Sequence, residues 1–253
     1  MNETVYGEKK KLQLITQALE KYCAEHGTSQ EKIHILDVGC GTGQAISQPL
    51  AQAGYTIIGL DIDAATVQKA NSLNSHKNLT FVHSSIEHFK QTGFDVVIAS
   101  EVLEHVPDPR AFLEEMRKKI KPKGIIIITT PNGYGWFEME SLLYNKLKLG
   151  RVIERFLKTR WAPEQPSDET IPMTLRENDI HLQHFTMRSL EKLFTEAQLQ
   201  PQNIANTTLM AGPFTNTFFW RKHRFLKWNT RVADKLPHWL TSGWCITLSQ
   251  TQK

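Results

Sequence analysis

Three side chains able to bind metal or move protons fall within one short run, Ser100-Glu101-Val102-Leu103-Glu104-His105-Val106-Pro107. The spacing i, i+3, i+4 predicts that Glu101, Glu104 and His105 share one face of a helical turn. Two carboxylates and an imidazole suit a hard divalent cation. Without a metal, His105 is the best general-base candidate, because an imidazole titrates near neutral pH. The other chemically charged region is Ile35-Leu36-Asp37-Val38-Gly39-Cys40-Gly41-Thr42-Gly43. Its glycines let the backbone approach a ligand and adopt positive φ.

Both runs need elements that bring them together. Apolar runs suited to strands cover 33–38, 56–61, 79–82, 95–100 and 124–130, and helical stretches at 43–53, 63–74 and 109–119 lie between them. This alternation predicts a mostly parallel, twisted sheet with helices on both faces. Ile125-Ile126-Ile127-Ile128 suits a strand buried on both sides. Residues 8–25 form an amphipathic N-terminal helix, with Leu12, Ile15, Leu19 and Tyr22 on one side. Ligands in such sheets bind at the carboxyl ends of the strands, where both chemical runs fall.

The glycine loop ends a strand and opens a helix. A nicotinamide dinucleotide fingerprint would need G-x-G-x-x-G, but Gln44 stands where the third glycine belongs, and Gly43 comes one residue early. A tight turn without ligand is the bland alternative. The second strand ends at Asp61, about 20 residues past the loop, where a carboxylate can accept from both ribose hydroxyls. Asp63 suits the N-cap of the following helix better. Ile62 follows Asp61, and Ser84-Ser85-Ile86 follows the third strand.

The G-x-G-x-G loop resembles motif I of class I S-adenosylmethionine methyltransferases, and the resemblance runs from about residue 30 to 200. It implies a Rossmann-like class I methyltransferase fold with a helical insertion after strand five. It also implies S-adenosylmethionine as cofactor, bound by Asp37, Gly39, Cys40, Gly41, Gly43, Asp61, Ile62, Ser85, Ile86 and Ser100. Ser85 occupies an adenine-contact slot that is often acidic in the family. The Glu-x-x-Glu-His run resembles those of the ubiquinone-biosynthesis O-methyltransferases and the Hen-type small-RNA 2′-O-methyltransferases. That likeness implies Glu101, Glu104 and His105 as ligands of a divalent cation, Mg or Mn. By the pattern of the RNA enzymes, His181 would complete the set, with His184 as the alternative. An ion with two free positions would favour an acceptor with neighbouring hydroxyls. Many metal-free methyltransferases also carry Leu-Glu-His after strand four, with the histidine as base or packing residue, so His105 and Glu104 are the catalytic candidates in either case.

The remaining sequence bounds the partners. The chain has 253 residues, 40% hydrophobic, and a formal net charge of +4, too mild to indicate nucleic-acid binding by charge. The domain expectation is a single unit over 1–253, with an insertion or lid at 132–184 and an aromatic, basic segment at 210–242 before the last strand. The stretch 137–161 is basic and amphipathic, suiting a lid helix or contact with an anionic membrane surface. Three scattered cysteines, Cys23, Cys40 and Cys245, read as reduced thiols of a cytoplasmic protein. The N-terminus shows no apolar leader. The leading expectation is O-methylation of a hydroxylated small-molecule, saccharide or lipid-like acceptor. RNA ribose methylation and an inactive cofactor-binding scaffold are the alternatives.

Overall fold

A computed structural model describes residues 3–4, 6–136, 139–140, 182–212, 215–216, 219 and 222–251. Most of the expected insertion, including His181, lies outside the described residues.

The strands are β1 (His34–Val38), β2 (Thr56–Asp61), β3 (Leu79–His83), β4 (Phe94–Ser100), β5 (Ile120–Pro131), β6 (Leu199–Asn206) and β7 (Gly243–Gln250). They form one seven-stranded sheet in the order β3-β2-β1-β4-β5-β7-β6. Pairings from β3 through β5 are parallel, and β7 runs antiparallel to both β5 and β6. Strand order reverses between β1 and β4, so a crevice opens beyond their carboxyl ends.

Because strand side chains alternate, neighbours enter opposite layers. Leu36, Val97, Ile126 and Ile128 pack in one layer with Phe112, Leu113 and Met116 of α4 (Pro109–Lys119) and Leu190 and Phe194 of α5 (Met187–Glu196). Ile35, Val96, Ile98 and Ile127 face the other layer, against α1 (Glu8–His26), α2 (Ser47–Gln52) and α3 (Ala64–Leu73). On α1, the stripe Ile15, Leu19 and Tyr22 is buried, and Gly27 closes the helix at φ 58°. Asp108 caps α4 through Ala111 N–H, and Thr186 caps α5 through Ser189 N–H.

The other strands and the helices α1, α3 and α4 lie close to their expected positions, but two elements differ. The helix after the glycine loop was expected from 43; turns occupy 41–46 and α2 starts at Ser47. Strand β6 lies at Leu199–Asn206, ahead of the weak strand candidate that the sequence offers near 202–209, with an irregularity between Pro201 and Asn203. As an edge strand it tolerates Pro201, and its polar composition hides the alternation. The 214–240 segment contains α6 (His223–Ala233), whose Asn229 side chain bonds the main chain of Met210 in both directions.

Candidate active site

The glycine loop is fastened to the end of β2. Gly39 and Cys40 N–H donate to the Leu60 carbonyl at 2.8 and 2.9 Å, and Gly41 N–H donates to Asp61 Oδ2 at 2.9 Å. The other Asp61 oxygen accepts from Asp63 N–H at 2.9 Å. Asp63 caps α3 through Ala65 and Thr66 N–H, as the sequence suggested. Asp61 borders the glycine loop through Gly41 N–H.

Gly39, Gly41 and Gly43 have φ of 70°, 56° and 73°. A Cβ on Gly43 would run into the Phe81 ring, and one on Gly39 would stand 2.5 Å from Val102 Cγ2. We expect Gly43→Ala to cost about 1–3 kcal/mol through overpacking, with further strain from positive φ. Thermal unfolding would show a lowered midpoint, and calorimetry a weakened cofactor affinity.

Asp37 is buried and accepts from Ser47 Oγ at 2.5 Å, tying β1 to α2. Burial pushes its carboxyl up to about 7; the Asp61 charge adds to this and the Ser47 hydrogen bond opposes it. With the native value above the unfolded one, the folded chain holds an extra proton between roughly pH 4 and 7. Stability is then lost as pH rises through that window. Asp37→Asn removes this loss, so its unfolding midpoint should gain on the wild type between pH 5 and 8, by on the order of a few kcal/mol.

Around this crevice, Ile62 is 76% exposed beside Asp61. Ser85 Oγ lies 3.0 Å from His88 Nδ1. Ile86 is buried in the core. Cys40 sits against Gly59, and burial pushes its thiol up.

The Gly39–Val102 contact places the turn after β4 against the glycine loop. That turn is not the expected single helical face. Glu101 adopts φ 56°, and only Leu103–His105 form a 3-10 turn. Glu101 accepts from Thr129 Oγ1 at 2.8 Å through Oε1, and Thr129 also bonds Ser100 Oγ at 2.8 Å. Its Oε2 pairs with Lys11 Nζ at 2.8 Å. Glu104 is 1% exposed and accepts from Thr130 Oγ1 at 3.2 Å. Burial, and then the Glu101 charge, push the Glu104 carboxyl well above the usual carboxylate range; Lys11 and Thr130 act against this. His105 Nε2 stands 3.9 Å from Glu104 Oε1, with its side chain 31% exposed, so a substrate can reach the ring.

An ammonium and a threonine hydroxyl meet the two oxygens of Glu101, one on each, and a second threonine bonds Glu104. No group of three His, Cys, Asp or Glu side chains converges on one point among the described residues. The cation that Glu101 meets among the described residues is the Lys11 ammonium. His184 precedes the buried Phe185 and packs over Gly133.

Sequence reasoning missed Lys11, Thr129 and Thr130. Lys11 did carry a signal: it continues the stripe of Ile15, Leu19 and Tyr22 by one turn, a cation on a buried helix face. The threonines carried none, because they read as ordinary strand residues.

A parallel sheet with a reversal at β1/β4, a G-x-G-x-G loop and an acidic β2 terminus define an S-adenosylmethionine-dependent methyltransferase fold. The methyltransferase domain family model matches residues 7–203, and the chain belongs to that family. It is 36% identical over 155 residues to a ubiquinone biosynthesis O-methyltransferase of Rickettsia akari, covering 60% of this chain and 57% of that protein. It is 29% identical over 217 residues to one of Vibrio cholerae, covering 84% and 78%. The chain thus spans little more than half of the Rickettsia relative's length. A solved S-adenosylmethionine-dependent methyltransferase from Methanosarcina mazei shares the fold, with TM-score 0.54, 21% identity and coverage of 91% and 98%.

Proposed function

We propose that this chain transfers the methyl group of S-adenosylmethionine to a hydroxyl of a small hydroxylated acceptor, with His105 as general base. The single observation that carries this is the partly exposed His105 on a turn packed against the glycine loop. The acceptor oxygen attacks the methyl carbon, its proton passes to the imidazole, and the carbon–sulfur bond breaks to release S-adenosylhomocysteine. The cofactor supplies the activated methyl; the protein supplies alignment and proton removal. The relatives named as O-methyltransferases support oxygen as the nucleophile. Mass spectrometry of acceptors offered as hydroxyl and amine analogues tests this. One methyl gained on the hydroxyl compounds is expected. Transfer only to amines overturns the oxygen assignment, and cofactor binding without any transfer favours the scaffold reading.

The exposed rim favours a lipid-like acceptor met at a membrane surface. Tyr134, Trp136, Trp239 and Leu240 are exposed at the carboxyl edge of the sheet. The turn carrying the first two is joined to the segment carrying the others by Asn132 Nδ2, which donates to the Trp239 and Thr241 carbonyls. Aromatic side chains of this kind sit at lipid headgroups. The adjoining 137–161 stretch, basic in sequence, would serve as lid and anionic-surface contact within one domain. Among the described residues, no helix is long and apolar enough to cross a membrane. Cosedimentation with anionic liposomes should fall as salt rises, and no binding at low salt would leave only the lid role.

A further inference from the structure

We propose that Lys11 is the resident cation of the acceptor pocket, held by Glu101 where a divalent ion would otherwise balance the two glutamates. This rests on the hydroxyl-methylation reading above.

The position of Lys11 is fixed by the helix that carries it. Ile15, Leu19 and Tyr22 lock α1 onto the sheet, so the side chain one turn earlier points at the carboxyl ends of β4 and β5. The Lys11 and Glu101 side chains are only 11% and 25% exposed. Their 2.8 Å pair is therefore shielded from the screening that weakens surface pairs.

Glu101 is built for this partner. Its left-handed backbone costs on the order of 1–2 kcal/mol for a residue with a side chain. In that conformation one carboxylate oxygen accepts from Thr129 and the other meets Lys11. Strain of this kind, over-determined by its surroundings, is characteristic of functional sites.

Lys11 and Glu101 line a pocket with Tyr6, Thr130, Thr207 and Ser242, a wall rich in hydroxyls. An ammonium has three donors. One goes to Glu101, and the pocket side can receive an acceptor oxygen. A cation there would stabilise the negative charge that develops on an acceptor oxygen as it loses its proton. A dication brought to the same carboxylate would stand beside the Lys11 ammonium, a like charge. The acceptor class is a hydroxyl compound whose oxygen gains charge on reaction, such as a phenol or sugar-type alcohol, activated without a divalent ion.

Mn²⁺ titrated into the full chain with S-adenosylhomocysteine, followed by electron paramagnetic resonance, tests the cation directly and needs no acceptor. The free-ion signal should persist undiminished. One tightly bound Mn²⁺ per chain, lost in Glu101→Gln, overturns the proposal. The second arm measures methyl transfer in excess chelator. Lys11→Met should lower kcat roughly 100-fold with S-adenosylmethionine affinity unchanged, and Lys11→Arg should retain most of the rate. Unchanged kcat in Lys11→Met, or wild-type activity abolished by chelator, also overturns it. Should Lys11→Met fail to fold, the Mn²⁺ titration and wild-type activity in chelator still decide. Should no hydroxyl acceptor react at all, the functional reading fails, and the Mn²⁺ result still judges the cation.

Discussion

Replacing His105 with alanine is expected to lower kcat by about 10²–10⁴-fold, the usual worth of a positioned general base. Its ring, 31% exposed, is the most open titratable side chain of the turn that abuts the glycine loop, ahead of Glu101 at 25% and Glu104 at 1%. The His105 side chain is partly exposed, so its loss should cost less stability than the loss of a fully buried side chain. Unfolding temperature and S-adenosylmethionine affinity should therefore stay near wild type while turnover collapses. That split separates a proton acceptor from a packing residue, because a packing loss would lower stability as well. Pre-steady-state measurement with saturating cofactor and acceptor reads the chemical step itself. A kcat within a few-fold of wild type would return His105 to packing and remove it as the general base.

Asp61→Ala should weaken S-adenosylmethionine binding by about 1–3 kcal/mol, or roughly 5- to 150-fold, the cost of leaving hydrogen-bonding partners unpaired. Two contributions act in the same direction. The ribose hydroxyls lose an acceptor, and Gly41 N–H and Asp63 N–H lose theirs. Asp61→Asn distinguishes them, because an amide oxygen can still accept one bond while its charge is gone. The asparagine variant should fall between wild type and alanine. Calorimetry reads the affinity; equal affinities across all three would remove Asp61 from the cofactor site. Asp63→Ala provides the contrast: it loses the α3 cap, which costs about 1 kcal/mol of stability, and cofactor affinity should hardly move.

The sequence by itself determined the sheet, the glycine loop and the β2 carboxylate. These are local signals: apolar runs of strand length, glycines at positions needing positive φ, and one acidic residue at a strand end. The same locality explains the exact placement of α4, where Asp108 and Pro109 mark the start. Local rules failed where long-range contacts set the backbone. A helical period joined Glu101, Glu104 and His105 on paper, but Glu101 takes a left-handed conformation instead. Its carboxylate is held by Thr129, 28 residues away along the chain, and by Lys11 on the first helix. No spacing rule within the turn can encode partners on β5 and α1. Only the tertiary structure brought Lys11, Glu101 and Thr130 into one pocket. It did so because the buried stripe of α1 fixes that helix against the sheet, and the register of β4 on β5 sets Ser100 beside Thr129. Charge pairing then followed from packing: with the helix and strands in place, the nearest counter-ion for a half-buried glutamate was the lysine.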